Sequence, residues 1–212
     1  GIHTFFKRDP SITTTVRLRV VARNLQLIRL DFEDTPCHEV LAAINTAYRQ
    51  MMPNYDVVIL SDYGKGGLTH EAERIDWARE AGKPVLVDPK GDDYEKYAGA
   101  TLLTPNRAEF KEVAGSWKSE EELTNKAQAL RRHLNLEALL LTRSEEGMSL
   151  YRDGELHHQP THAQEVFDVS GAGDTVIGCM GVGLAAGYSL PEAMYLANTA
   201  AGVVVAKVGT AV

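Results

Sequence analysis

The chain has 212 residues, 44% of them hydrophobic and 24% charged, with a formal net charge of -7. That length and composition suit a soluble chain with one well-buried core or two smaller ones. The acidic balance argues against general nucleic-acid binding, which rewards clustered Lys and Arg through counterion release. A local basic pocket for a small anionic substrate remains compatible with it.

Only Cys37 and Cys179 are present, so no disulfide framework is expected and a reducing cytoplasm is the expected setting. The longest weakly polar run, 176–186, is too short and too glycine-rich for a membrane span, which needs about 20 apolar residues. The start, Gly1-Ile-His-Thr-Phe-Phe, has neither an initiator Met nor the pattern of a signal peptide. The chain therefore reads as a piece of something longer.

Residues 13–32 alternate with the period of two that marks half-buried strands. Val16, Leu18, Val20 and Ala22 fall on one side and Arg17, Arg19, Val21 and Arg23 on the other. With Asn24 as the turn and 25–32 returning, a β-hairpin is expected. From about Glu39 the pattern changes to alternating strands and helices. Strands are expected over 56–60, 84–87, 101–104 and 137–142, and helices over 71–81 and 119–134. Fully apolar strands separated by helices indicate a parallel sheet covered on both faces. The runs 148–151 and 155–159 flank Asp153-Gly154, a pair suited to a tight hairpin, so an antiparallel ribbon is expected at one sheet edge. Two helices follow. The second opens with Ser189-Leu-Pro-Glu192, which has capping-box spacing and Pro in the first turn, and it is expected to reach about Lys207.

Between the ribbon and these helices lies Asp168-Val-Ser-Gly-Ala-Gly-Asp-Thr175. Gly171 and Gly173 carry no Cβ to obstruct a close approach, and the amides opening the next helix attract an anion. If the loop holds an anion, Asp174 at the helix entrance would be the base that takes a proton from a sugar hydroxyl as it attacks the γ-phosphorus of ATP. The plainer alternative is a glycine-rich turn with a capping Asp. Polar groups also gather where each expected parallel strand ends: Ser61-Asp-Tyr-Gly-Lys65, Asp88-Pro-Lys-Gly91, Pro105-Asn106 and Arg143-Ser144. That is the edge where open sheets collect ligands. Adjacent His157 and His158 point to opposite faces of a strand. With His162 they make no metal cluster. Trp77, Trp117 and Met51-Met52 read as packing residues.

Taken in order, these segments resemble the ribokinase, or PfkB-type, carbohydrate kinases across residues 13–212. The resemblance implies a three-layer α/β/α domain with a mostly parallel sheet and a β-hairpin lid. Residues 1–36 would form the lid and its flanks, and 37–212 the ATP-binding and catalytic core. It further implies Asp174 as the base, with Gly171, Ala172 and Gly173 as the anion hole and Asp168 beside the nucleotide. Asn106-Arg-Ala-Glu109 resembles the family's Asn-x-x-Glu motif, which helps arrange magnesium and phosphates. Mg²⁺ takes hard oxygen ligands and keeps several waters, so Glu109 and Asp88 would hold it through its water shell. Thr142, Ser144 and Gly147 would lie near ribose or phosphates and Asn198 beside adenine. Each has a plainer alternative: a strand-end turn for Asp88, a first-turn helix carboxylate for Glu109, an ordinary Ser/Gly turn at 144–147, and an exposed helical Asn198.

Within that family, the segments 25–33, 60–66, 87–91, 103–106 and 141–150 resemble the heptose 7-phosphate kinases. The implied reaction converts D-glycero-β-D-manno-heptose 7-phosphate to the 1,7-bisphosphate on the route to ADP-heptose and lipopolysaccharide. A phosphorylated substrate needs cations, for which Arg17, Arg19, Arg23, Lys65 and Lys90 are candidates, with a solvated strand face as the alternative for the arginines. The family's first strand, sugar-binding Asp and Gly-Gly segment have no match here. About a third of the domain is thus expected to be missing ahead of Gly1, estimated from its βα units, and the chain alone is expected to bind sugar poorly. Other readings are a family kinase for another sugar or a nucleoside, or a nucleotide-binding fragment without catalysis. A homodimer through the apolar hairpin face is also expected.

Overall fold

The structure, a computed structural model, describes residues 2–22, 25–161, 169 and 171–206, with the side chains of residues 21, 25 and 26 excepted. Two sheets form. The first is the expected hairpin, β1 (Val16–Ala22) against β2 (Leu25–Phe32), antiparallel with a register shift between Val20 and Val21. The second has six strands in sequential order: β3 (Val58–Ser61), β4 (Val85–Asp88), β5 (Leu102–Leu103), β6 (Ala138–Thr142), β7 (Met148–Arg152) and β8 (Glu155–Gln159). Strands β3 to β6 run parallel, and β7 and β8 add the antiparallel ribbon at the edge.

Alternation along each strand sends side chains into two separate cores. Val85, Val87, Leu139 and Leu141 pack beneath α1 (His38–Met51), α2 (Glu71–Glu80), α3 (Arg107–Ala114) and α4 (Glu120–His133), together with Ile75, Phe110 and Leu123. Leu86, Ala138 and Leu140 face the other way, against Ile177, Met180, Ala193 and Met194 of α5 (Ala172–Ala185) and α6 (Leu190–Val205). The strands are apolar throughout because both of their faces are covered. Met52 is buried and Trp77 and Trp117 pack against the first core, as expected of packing residues.

Two elements differ from expectation. Strand β5 has only two residues, because Thr104 and Pro105 already turn toward Asn106 at the N-cap of α3. Helix α5 begins at Ala172, so Ala172 to Thr175 of the glycine motif already lie in its first turn rather than in a loop preceding it.

Candidate active site

The C-terminal ends of β3 to β6 lie on one edge of the sheet. Asn106 follows β5 and caps α3 through its side chain, which accepts from the amides of Ala108 (2.9 Å) and Glu109 (3.0 Å). Glu109 reciprocates with one oxygen on the Asn106 amide at 3.0 Å. The Asn-x-x-Glu motif is therefore a capping box. Its other carboxylate oxygen accepts from Lys90 Nζ at 3.0 Å, which turns the box toward β4. The plainer reading of Glu109 as a first-turn helix carboxylate therefore holds, and its box sets the carboxylate at the site edge.

Asp88 ends β4, half-buried, and its carboxyl is pushed up to about 6 by burial, with Glu109 and then Asp174 adding repulsion. A carboxylate held against two others in this way favours a cation among them. Among the described residues no group of three or more His, Cys, Asp or Glu side chains is arranged to hold a metal by itself. Ser149 Oγ lies 3.0 Å from His158 Nδ1, while His157 turns to Glu155 on the other side. His162 lies outside the described residues.

Gly171 is the N-cap of α5 with φ of 78°, and among the described residues added Cβ atoms at Gly171 or Gly173 would meet nothing within 4 Å. Among the described residues, nothing stands between either glycine and an anion at this helix end. The Ala172 amide, between the two glycines, donates to the Val169 carbonyl at 3.2 Å. Asp174 sits exposed in the first turn, and its Oδ1 accepts from the Tyr63 hydroxyl at 2.9 Å. Asp168 lies outside the described residues.

The β6 end approaches β5 through a bridge between Thr142 and Asn106. Thr142 is half-buried, and Ser144 is exposed with a positive φ of 54°. Arg143 between them is buried and ion-paired with Glu120 and Glu146, which fixes the turn from the inside. Gly147 has a packing reason for its identity: φ is 86°, and a Cβ would lie 2.0 Å from the Gln159 carbonyl oxygen. Asn198 is buried rather than exposed on α6, and its side chain donates to the Pro160 carbonyl at 2.7 Å. It ties α6 to the end of β8.

Across the edge from these groups stands the hairpin. A cavity of about 350 Å³ is lined by Arg17, Arg29, Asp31, Glu33, Tyr63, Lys65 and Lys90. Arg17 and Arg29 both grip Asp31, at 2.8 and 2.7 Å, and Lys65 pairs with Glu33. The Arg29 and Arg17 hydrogen bonds lower the Asp31 carboxyl to about 2. Thus Arg17, Lys65 and Lys90 meet in one place, while Arg23 lies outside the described residues. Arg29, Tyr63 and Asp62 were not singled out from sequence. The hairpin register carried a signal for Arg29, since it stands opposite Arg19 and next to the Arg17–Asp31 pair.

The pfkB family carbohydrate kinase model matches residues 2–212. The bifunctional protein HldE of Chromohalobacter salexigens is 54% identical over 211 residues, 99% of this chain but 44% of that protein. The D-beta-D-heptose 7-phosphate kinase of Bordetella bronchiseptica is 50% identical over 212 residues, all of this chain and 68% of its relative. The chain therefore spans less than half the length of the bifunctional relatives it matches. Among solved structures, phosphofructokinase-2 from Escherichia coli superposes with a TM-score of 0.78 at 17% identity, over 92% of this chain and 65% of that one. Ribokinase from Thermotoga maritima gives 0.74 at 20% identity, over 93% and 65%. Those two likenesses establish a ribokinase-like fold, and the family match and the identity to curated relatives establish that this chain belongs to the pfkB family of carbohydrate kinases.

Proposed function

We propose that the protein containing this chain transfers the γ-phosphoryl group of ATP to the anomeric hydroxyl of D-glycero-β-D-manno-heptose 7-phosphate. The observation that carries the reading is the placement of a polar, cation-rich cavity beside Asp174, with Tyr63 lining the first and bonded to the second. Relatives named for heptose 7-phosphate support that choice of sugar. The reaction belongs on the route to ADP-heptose and in the cytoplasm. No described helix is long and apolar enough to cross a membrane.

Phosphoryl transfer asks little covalent chemistry of the protein and much positioning. Asp174 accepts the proton of the attacking hydroxyl. The Gly171–Gly173 helix end receives negative charge as it develops, and the cavity cations Arg17, Lys65 and Lys90 hold the acceptor's own phosphate, with Arg29 joining them. When bound, ATP with Mg²⁺ supplies the phosphoryl group and neutralises its oxygens. The residues present fit both: the glycine end is open, and Asp88 and Glu109 offer hard oxygens beside it. Thr142 and Ser144 face ribose or phosphates, Asn106 the phosphates, and Asp168 and Asn198 complete the nucleotide side. Gly147 shapes that turn.

The discriminating assay compares ATP consumption with heptose 7-phosphate and with the same sugar lacking its phosphate. Losing a charge-assisted contact to four cations is expected to lower kcat/KM by about 10² or more. Equal use of both sugars would favour a family kinase for another substrate. ATP binding without transfer in the full-length protein would favour a non-catalytic nucleotide-binding role.

The hairpin, with residues 1–36 as a lid unit, also supplies the dimer contact. Val16, Leu18, Val20, Ile28, Leu30 and Phe32 are register partners on one face, each 40% to 58% exposed. An apolar sheet face of this kind is covered economically by a second copy about a two-fold axis. Light scattering is expected to report a dimer at micromolar concentration and a monomer for Leu18→Asp; a monomeric native protein would remove the lid contact.

A further inference from the structure

The turn after β3 places one phenol on the base, and it is held with unusual firmness for an exposed loop. Asp62 is only 5% exposed. Its Oδ1 accepts from the Gly64 amide at 2.7 Å, and its Oδ2 from Lys96 Nζ at 2.7 Å and from the Tyr97 hydroxyl at 2.6 Å. Burial works against its charge, but Lys96 and Tyr97 outweigh that and hold the carboxyl below its usual range. The Asp62 amide donates to the Asp88 carbonyl at 3.0 Å, which ties the turn to β4. Gly64, at φ of 66°, lets the chain reverse with Lys90 Cγ only 3.5 Å from where a Cβ would stand.

Tyr63 projects from this anchored turn. It is 56% exposed, yet its hydroxyl reaches Oδ1 of Asp174 at 2.9 Å, across 111 residues of sequence. Asp174 is the third residue of α5, the position from which a carboxylate ordinarily folds back to cap the helix entrance. Here the N-cap is Gly171, which has no side chain to complete a box, and the Asp174 carboxylate instead accepts from Tyr63, a residue that lines the cavity.

Resting on the kinase reading above, we propose that Tyr63 is a positioning residue for the base: its hydroxyl engages Oδ1 of Asp174 so that the second oxygen faces the acceptor hydroxyl. The anchored Asp62 turn gives Tyr63 a fixed origin for that contact. Removing the donor leaves the carboxylate free to rotate back onto the α5 amides, which attract it through the helix dipole. Orientation is lost while nucleotide and sugar contacts remain.

The test uses the full-length protein and compares Tyr63→Phe, Asp174→Ala and the double variant. Tyr63→Phe is expected to lower kcat about tenfold, the loss of one hydrogen bond to a charged group, with KM for ATP and sugar phosphate within about twofold of native. Combined with Asp174→Ala, it should bring no further loss. A kcat within twofold of native, or the same tenfold loss when Asp174 is already Ala, would overturn the proposal. A second measurement needs no turnover. In the nucleotide-free protein, the Tyr63 ionisation, obtained from alkaline ultraviolet spectra by difference against Tyr63→Phe, should fall when Asp174 becomes Ala. An unmoved ionisation overturns the contact, whereas a native protein that phosphorylates no sugar overturns the kinase reading instead.

Discussion

Asp174→Asn is expected to lower kcat by about 10²-fold or more in the full-length protein, with KM for ATP changed less than about twofold. The substitution keeps volume and shape at the first turn of α5. Its consequence follows from the Tyr63 contact. The hydroxyl at 2.9 Å donates to whatever stands at Oδ1, so an asparagine presents its amide oxygen to Tyr63 and its NH₂ to the cavity. A donor then faces the acceptor hydroxyl where a lone pair is required. The helix-end amides and cavity cations are untouched, so binding persists without proton removal. Steady-state kinetics in ATP and in sugar phosphate decide the matter, and turnover within tenfold of native would take Asp174 out of the base role.

The residues that make this site separate into those legible from sequence and those created by folding. Apolar runs interrupted by helices give β3, β4 and β6 within a residue or two, because buried parallel strands have no polar face to confuse the reading. Glycine spacing before an apolar segment marks the α5 entrance for a similar reason: the chemistry is contained in a few consecutive residues. Asn106 and Glu109 are likewise local, being three apart on one helical turn. Tyr63 is different. Its significance comes from a partner 111 positions away, and nothing in Ser61-Asp-Tyr-Gly-Lys65 distinguishes a phenol bonded to Asp174 from an exposed turn tyrosine. Arg29 is hidden in the same way, since a strand arginine acquires meaning only when the hairpin is set over Lys65 and Lys90. Asn198 is legible only in part. Its modest helix propensity drew attention, but its buried bond to Pro160 arises from α6 packing on the end of β8.

Gly147→Ala is expected to cost about 3 kcal/mol of stability, lowering Tm by roughly 6–12 °C for a chain of this size. Two penalties combine at this position. The φ of 86° with ψ of -128° lies where side chains are rarely tolerated. A Cβ would also stand 2.0 Å from the Gln159 oxygen, 2.6 Å from the Pro160 carbonyl carbon and 2.7 Å from the Thr161 nitrogen. All three are backbone atoms, so no rotamer change relieves the clash, and the β7 start must separate from the β8 end. That end also carries the Pro160 carbonyl on which Asn198 rests, so the disturbance reaches α6. Gly154→Ala provides a comparison at another positive φ, 68°, where nothing among the described residues lies within 4 Å of the added atom. Only the backbone term applies, and about 1 kcal/mol is expected. Chemical denaturation of the two variants beside the native protein separates collision from conformational strain; equal losses would mean that the β8 end yields freely and that Gly147 serves only its turn.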